Sequence, residues 1–215
     1  MSYFRNLPNL EYQSFLSDKK SSDEYLTVKN LFRRVKLRDD LQNVFTVFDK
    51  YQIVDGARPE TVAEELYGSS QYDWVILIAA GITRVRDQWP LSDKDLYDYA
   101  EQIYGNDLTS IHHYETKEVK DSQDRLILPA GKVVDANFTI PKPGDPTTLL
   151  NPVTGISNYE YEVRKNNEKR SIYVLKRIYL QQVLNDTKKE MTYDQSSQYV
   201  NSNLIKTENT RASNP

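Results

Sequence analysis

Residues 51–82 read YQIVDGARPETVAEELYGSSQYDWVILIAAGI, and this stretch decides the fold. With the residues before it, 45–54 (FTVFDKYQIV) are rich in β-branched and aromatic side chains, which predicts a strand. Asp55-Gly56 then marks a turn. Pro59 suits the first turn of a helix, where its missing N–H costs nothing. That helix is expected to run to Tyr67. Val62 and Leu66 share one face, with Ala63 and Tyr67 beside them, and Gly68 is the natural stop. A second helix is expected over 71–80. Trp74, Val75, Ile76, Leu77 and Ile78 leave it almost no polar face, so it belongs in the core. A third helix follows Pro90-Leu91, with Ser92 and Asp95 as a capping pair. Its buried stripe is Leu96, Ala100 and Ile103, and Gly105 closes it.

Outward from this module the signals weaken. Residues 1–44 are a polar lead with scattered rings at Tyr3, Phe4, Tyr12 and Phe15. They read as an arm that orders against a partner. Residues 106–186 read as a β-rich extension. It has strands over 111–119 and 125–128 around a polar turn, and loop over 141–158. A hairpin follows, in which Tyr159, Tyr161 and Val163 alternate with charged residues, Asn166-Asn167 turns and 171–175 returns. A short helix is expected over 178–184. Residues 187–215 lose apolar content and read as a flexible tail. The fold class is α+β: a strand-helix-helix core at 45–105 with a third helix, an N-terminal arm and a hairpin-containing C-terminal extension.

Composition narrows the function. The 215 residues carry a net charge of −3, which does not favour coating nucleic acid. There is no cysteine, so disulfides, thiolate metal sites and cysteine nucleophiles are excluded. The N-terminal residues lack an apolar signal core, and the longest apolar run, 74–80, is too short to span a bilayer. A soluble protein made in the cytoplasm is expected. Sixteen tyrosines stand against two tryptophans. Tyrosine is enriched both at protein interfaces and in strands, so the excess alone decides nothing.

No phosphate-binding loop, dinucleotide turn or nucleophile elbow is present. His112 and His113 are adjacent on an expected strand. They should point to opposite faces and not grip one ion. No catalytic residue, metal ligand or cofactor site is expected. The most basic segment, 29–38 (KNLFRRVKLR), places Arg33, Arg34, Lys36 and Arg38 among apolar residues. Docking to an acidic protein neighbour is favoured over nucleic acid, with a plain solvated face about as good an account.

The segment 51–82, with its strand, turn, first helix ending in Tyr67-Gly68 and second helix opened by Trp74, carries the pattern D-G-x-R-P-E-x-V-A-x-x-L-Y-G followed by W-V-x-L and resembles a LysM module. More narrowly, it resembles the baseplate wedge subunit of T-even-like contractile phages. The matching residues are Asp55, Gly56, Arg58, Pro59, Glu60, Leu66, Tyr67, Gly68, Trp74 and Val75. Residues 112–131 and 158–180 look like relatives of that family. The resemblance implies a structural, non-enzymatic role in the virion tail baseplate. The subunit would join neighbouring wedges and bind inner baseplate proteins, without nucleic acid, membrane or small-molecule ligand. On this reading Val62, Leu66, Tyr67, Gly68, Trp74, Leu77 and Ile78 form the module's core. Tyr3, Phe4, Tyr12, Phe15, Arg33, Arg34, Lys36 and Arg38 are candidate partner contacts. The alternative is a glycan-binding LysM protein.

Overall fold

The computed structural model describes residues 3–13, 25–37 and 45–207. In chain order these form α1 (Tyr3–Asn6), β1 (Asn9–Gln13), β2 (Tyr25–Lys29), β3 (Phe48–Gln52), α2 (Pro59–Tyr67), α3 (Asp73–Ala79), α4 (Val85–Gln88) and α5 (Asp93–Tyr104). Next come β4 (Ile111–Thr116), β5 (Val119–Lys120), β6 (Leu126–Leu128), β7 (Val133–Val134), β8 (Ile140–Lys142), β9 (Asp145–Leu150) and β10 (Val153–Ser157). The chain ends with α6 (Asn158–Lys169), β11 (Ser171–Leu175), α7 (Leu180–Glu190), β12 (Tyr199–Asn201) and β13 (Leu204–Lys206). The class is α+β. The chain divides into two compact units: residues 1–53, 57–88 and 172–215, and residues 54–56 and 89–171.

In the first unit, local sequence sets the central helices. Arg58 has extended backbone and its carbonyl accepts the Val62 N–H at 3.1 Å, so Pro59 occupies the first helical position. Gly68 ends α2 at φ 76°, a left-handed conformation that favours glycine. A 3-10 turn at Ser70–Tyr72 leads into α3. Val62, Ala63, Val75 and Ile76 are essentially fully buried, whereas Leu66, Leu77 and Ile78 are only partly so. Strand β3 finds its partner far along the chain, in β11. The buried Tyr67 hydroxyl donates to the Leu175 carbonyl at 2.9 Å, and the Lys176 N–H donates to the Val47 carbonyl at 3.0 Å.

The chain ends contribute to the same unit. β1 runs antiparallel to β2 and parallel to β13, and β12 completes a four-stranded sheet in the order β12-β13-β1-β2. Leu7, Val35 and Met191 form a buried cluster, with Tyr3 and Ile78 packed on it. Two expectations change here. The described parts of 1–44, expected to order only against a partner, pack within the chain. The expected flexible tail is structured through residue 207. Counting apolar residues underestimates both segments, because backbone pairing between β1 and β13 supplies what side-chain mass does not.

In the second unit, Ser92 caps α5 by accepting the Asp95 N–H, as its sequence predicts. Leu96 and Ala100 are buried, but Ile103 is half exposed. The third helix therefore belongs with the β-rich residues 106–171, not with the module at 45–88. β4 lies between β10 and β7, and β5 pairs with β6 around the expected turn at 121–124. The expected loop at 141–158 is instead the β8–β9 hairpin followed by β10. Pro141 and Pro146 are tolerated because this is a two-stranded sheet, where a missing N–H need not break a ladder.

The largest departure is α6. The alternation of tyrosine and charge over 159–164 predicts a hairpin, and the residues are helical. The buried positions of α6 are Asn158, Glu162 and Asn166, spaced four apart on one face, and all are polar. Asn158 Nδ2 donates to the Asp107 carbonyl at 2.8 Å. Glu162 accepts from the Tyr104 hydroxyl and Lys165 Nζ, each at 3.3 Å. The Asn166 amide bonds both ways with Leu91, accepting its N–H at 2.8 Å and donating to its carbonyl at 2.9 Å. A helix that docks by a polar stripe has no apolar period to read. Asn166→Leu, though more apolar, should therefore destabilise the protein. It leaves two backbone groups of Leu91 unpaired at a cost of about 2–4 kcal/mol. A lowered urea midpoint is expected, and an unchanged one would show that water replaces both bonds.

Candidate interaction surface

Residues of the first unit line a groove of about 820 Å³. Its apolar wall comes from Val35, Leu37, Trp74, Leu77 and Ile78, and Tyr3 and Phe4 close one side. Trp74 is 6% exposed, and its ring lies 5.8 Å from that of Tyr3 at an interplanar angle of 50°. Tyr3 is fixed in turn, since its hydroxyl accepts the Val35 N–H at 3.3 Å. Among the described residues, the charged groups lining the groove are Arg34, Lys36 and Asp73. Asp73 lies in the first turn of α3, where the helix amides favour a carboxylate.

Just before these cations the chain makes a tight turn that carries Leu31 and Phe32 into solvent, 68% and 96% exposed. The turn is pinned from several sides. The Asn30 N–H donates to the Pro8 carbonyl at 2.9 Å, and Asn30 Nδ2 donates to the Tyr193 hydroxyl at 2.9 Å. Asn30 Oδ1 accepts the Phe32 N–H at 3.1 Å. Arg33 donates to the carbonyls of Glu190 and Thr192 at 3.0 and 2.8 Å and sits over the Tyr193 ring. Lys29 Nζ donates to the Leu7 carbonyl at 2.8 Å.

The candidate contacts thus separate. Arg33 is turned inward and braces the fold. Tyr3 is half buried and structural, while Phe4 is 63% exposed at the groove. Arg34 and Lys36 are exposed along the groove, and Tyr12 is exposed on β1. Phe15 and Arg38 lie outside the described residues. Sequence reasoning places Leu31 and Phe32 within the basic segment favoured for docking but does not single them out, although both are strongly exposed. The Asn30 that precedes them, a turn former, was the available signal.

The motif residues do different work. Pro59 is buried at the head of α2, with Glu60 beside it in the first turn. Asp55 belongs to the second unit. Its carboxylate accepts from Arg170 at 2.7 Å and from the Asp93 N–H at 3.1 Å, and the Arg170 contact chiefly holds it below the usual carboxylate range. Gly56 follows at φ 69°. Glu65 accepts the Tyr51 hydroxyl at 2.8 Å, and burial together with this carboxylate pushes Tyr51 up to about 12.

The two histidines do not diverge as the strand period predicts. Their Nδ1 atoms are 2.8 Å apart, and His112 stacks on Tyr161 at 3.9 Å. A register shift opposite them, at Ile156/Ser157, breaks the regular alternation. His113 Nε2 pairs with Glu115 at 3.0 Å, and Arg164 pairs with the same carboxylate at 2.6 Å. These two bonds, His113 first, hold Glu115 below its ordinary value. The cluster ties β4 to α6. Among the described residues no group of three or more histidine or carboxylate side chains is placed to hold a metal ion, and no helix is long and apolar enough to cross a membrane.

The first unit thus presents a pinned, exposed aromatic turn and an apolar groove, features common on surfaces that contact other proteins. Residues 3–120 match the family described as Base plate wedge protein 53, and since this is more than half of the chain, the chain belongs to that family and is a structural protein of the phage tail baseplate. Every groove residue and the 30–33 turn fall within the matched segment, whereas the wedge-like stretch at 158–180 falls outside it. No curated protein matches the chain.

Trp74 carries both the groove wall and the contact to α1. Trp74→Ala should cost ~3–5 kcal/mol, as for other buried aromatic truncations. Thermal unfolding would report it as a clear fall in Tm. An unchanged Tm would show that the indole contributes to the surface only.

Proposed function

We propose that this chain is a non-catalytic connector of the baseplate wedge, joining neighbouring wedges and binding inner baseplate proteins. It is made and assembled in the host cytoplasm and uses no cofactor. The observation that carries this reading is the groove between α1, the 34–37 segment and α3, inside the family-matched residues and built by side chains suited to protein contact. Interfaces draw on aromatic and arginine anchors around a desolvated centre. The order strand, helix, helix and returning strand (β3, α2, α3, β11) supports describing its core as LysM-like.

Co-expressed with other wedge components, the chain should co-purify with them in fixed stoichiometry. Phage lacking it should fail to complete the baseplate. Stable particles with a complete baseplate but without this chain would refute the reading. The LysM likeness is taken as architectural only. Ser69–Tyr72, where LysM modules present a ligand groove, has its amides engaged locally: Ser70 N–H donates to Glu64 and Gln71 N–H to the Ser69 hydroxyl. Calorimetry with N-acetylglucosamine oligomers should register no binding. Micromolar affinity would favour a glycan-binding role instead.

A further inference from the structure

The sequence has only two histidines, and they are neighbours in β4. Histidine is the side chain whose ordinary titration falls in the physiological range, so the groups most able to change charge there meet in one place. Their Nδ1 atoms lie 2.8 Å apart, a hydrogen bond that needs one donor and one acceptor. The tautomers follow from Glu115. The bonds from His113 and then Arg164 hold its carboxyl below the ordinary value, so it is ionised and can only accept. His113 Nε2 therefore carries a proton towards it, at 3.0 Å. In the neutral pair His113 Nδ1 is then the acceptor and His112 Nδ1 the donor. A first added proton fits, because His112 Nε2 takes it and one proton still lies between the two Nδ1 atoms. A second has only the remaining Nδ1 to occupy, and it would set N–H against N–H at 2.8 Å.

We propose that this pair is an acid-opened latch in the seam between β4 and α6, closed while one proton lies between the two Nδ1 atoms and opened when both rings are fully protonated. His112 is the ring that moves. It is exposed, whereas His113 is held by Glu115, which Arg164 of α6 grips at 2.6 Å. Moving His112 breaks its stack on Tyr161 of α6, at 3.9 Å, while the Glu115–Arg164 pair stays closed. The surrounding charges favour this outcome. Lys165 Nζ lies 5.0 Å from the centre of the same Tyr161 ring, so a second cation there meets like charge. The nearby carboxylates of α6, Glu162 and Glu160, are engaged by Lys165 at 3.3 Å and Arg164 at 2.7 Å. β4 itself adds only Tyr114, and its flanking strands β10 and β7 carry no ionisable side chain. The opened form and the unfolded chain each bind one more proton than the closed latch, so falling pH favours both over it.

Nuclear magnetic resonance on the whole chain tests this. Isotope-labelled histidine rings count the protons on each nitrogen, and nuclear Overhauser contacts report the His112–Tyr161 stack. The contacts should be present at about pH 7 and lost at about pH 5, below the ordinary histidine range, as both rings become fully protonated. The urea midpoint of the wild-type chain should fall over the same interval. His112→Phe keeps a flat ring beside Tyr161 but has no nitrogen, so its ring contacts should persist and its midpoint should fall much less. Contacts between His112 and Tyr161 that survive full protonation of both rings overturn the latch, as does a pair that takes up no second proton by about pH 5. An equal fall of the midpoint in His112→Phe places the acid sensitivity elsewhere and overturns it too.

Discussion

The return of β11 to β3 is the constraint on which the first unit depends. A strand followed by two short helices presents one strand with an unpaired edge, and α2 and α3 are too short to be stable alone. The partner strand comes from residues 171–175, after an excursion of the whole second unit. The Tyr67 hydroxyl seals the arrangement at the Leu175 carbonyl, and burial drives that phenol well above its ordinary pKa, so it remains a donor. The excursion is closed by its own contacts. Leu91 at its start and Asn166 near its end are bonded in both directions, and Arg170 holds Asp55 and Asp93. Those bonds offset the entropy of closing so long a loop.

How much of this was legible in the sequence depends on the kind of interaction involved. Pro59, Gly68 and the Ser92–Asp95 pair act within one turn of chain, so residue identity fixes α2 and α5. Of the apolar run 74–78, Trp74, Val75 and Ile76 are buried as the sequence leads one to expect, whereas Leu77 and Ile78 are only partly buried and line the groove. The elements that were misread are held by bonds to distant backbone. Nothing local in Asn158, Glu162 or Asn166 announces a buried helical face, because the partners that satisfy them lie at Asp107, Tyr104 and Leu91. The strand β13 likewise owes its place to a parallel pairing with β1, whose register spans the length of the chain.

The interaction surface was half legible for the same reason. The basic run at 29–38 was visible as charge, and a run of charges reads as one patch. Folding splits it. Lys29 and Arg33 are bonded to backbone carbonyls of Leu7, Glu190 and Thr192. Arg34 and Lys36 are exposed instead. Alternation along an extended segment produces this division, since successive side chains point to opposite sides. Val35 and Leu37 are buried and Arg34 and Lys36 exposed on that basis.

Through this alternation one short segment serves both the interior and the surface of a chain of mean hydropathy −0.71. The segment that supplies Val35 and Leu37 to the interior also sets the cations and, through the Asn30 turn, the exposed Phe32. Core packing and the presentation of exposed side chains therefore share one backbone. A change that loosened Arg33 from Glu190 and Thr192 would release the turn, and Phe32 would lose its fixed presentation while every exposed residue stayed the same. The presentation of Phe32 therefore depends on Arg33, a residue whose guanidinium is bonded to the chain's own backbone.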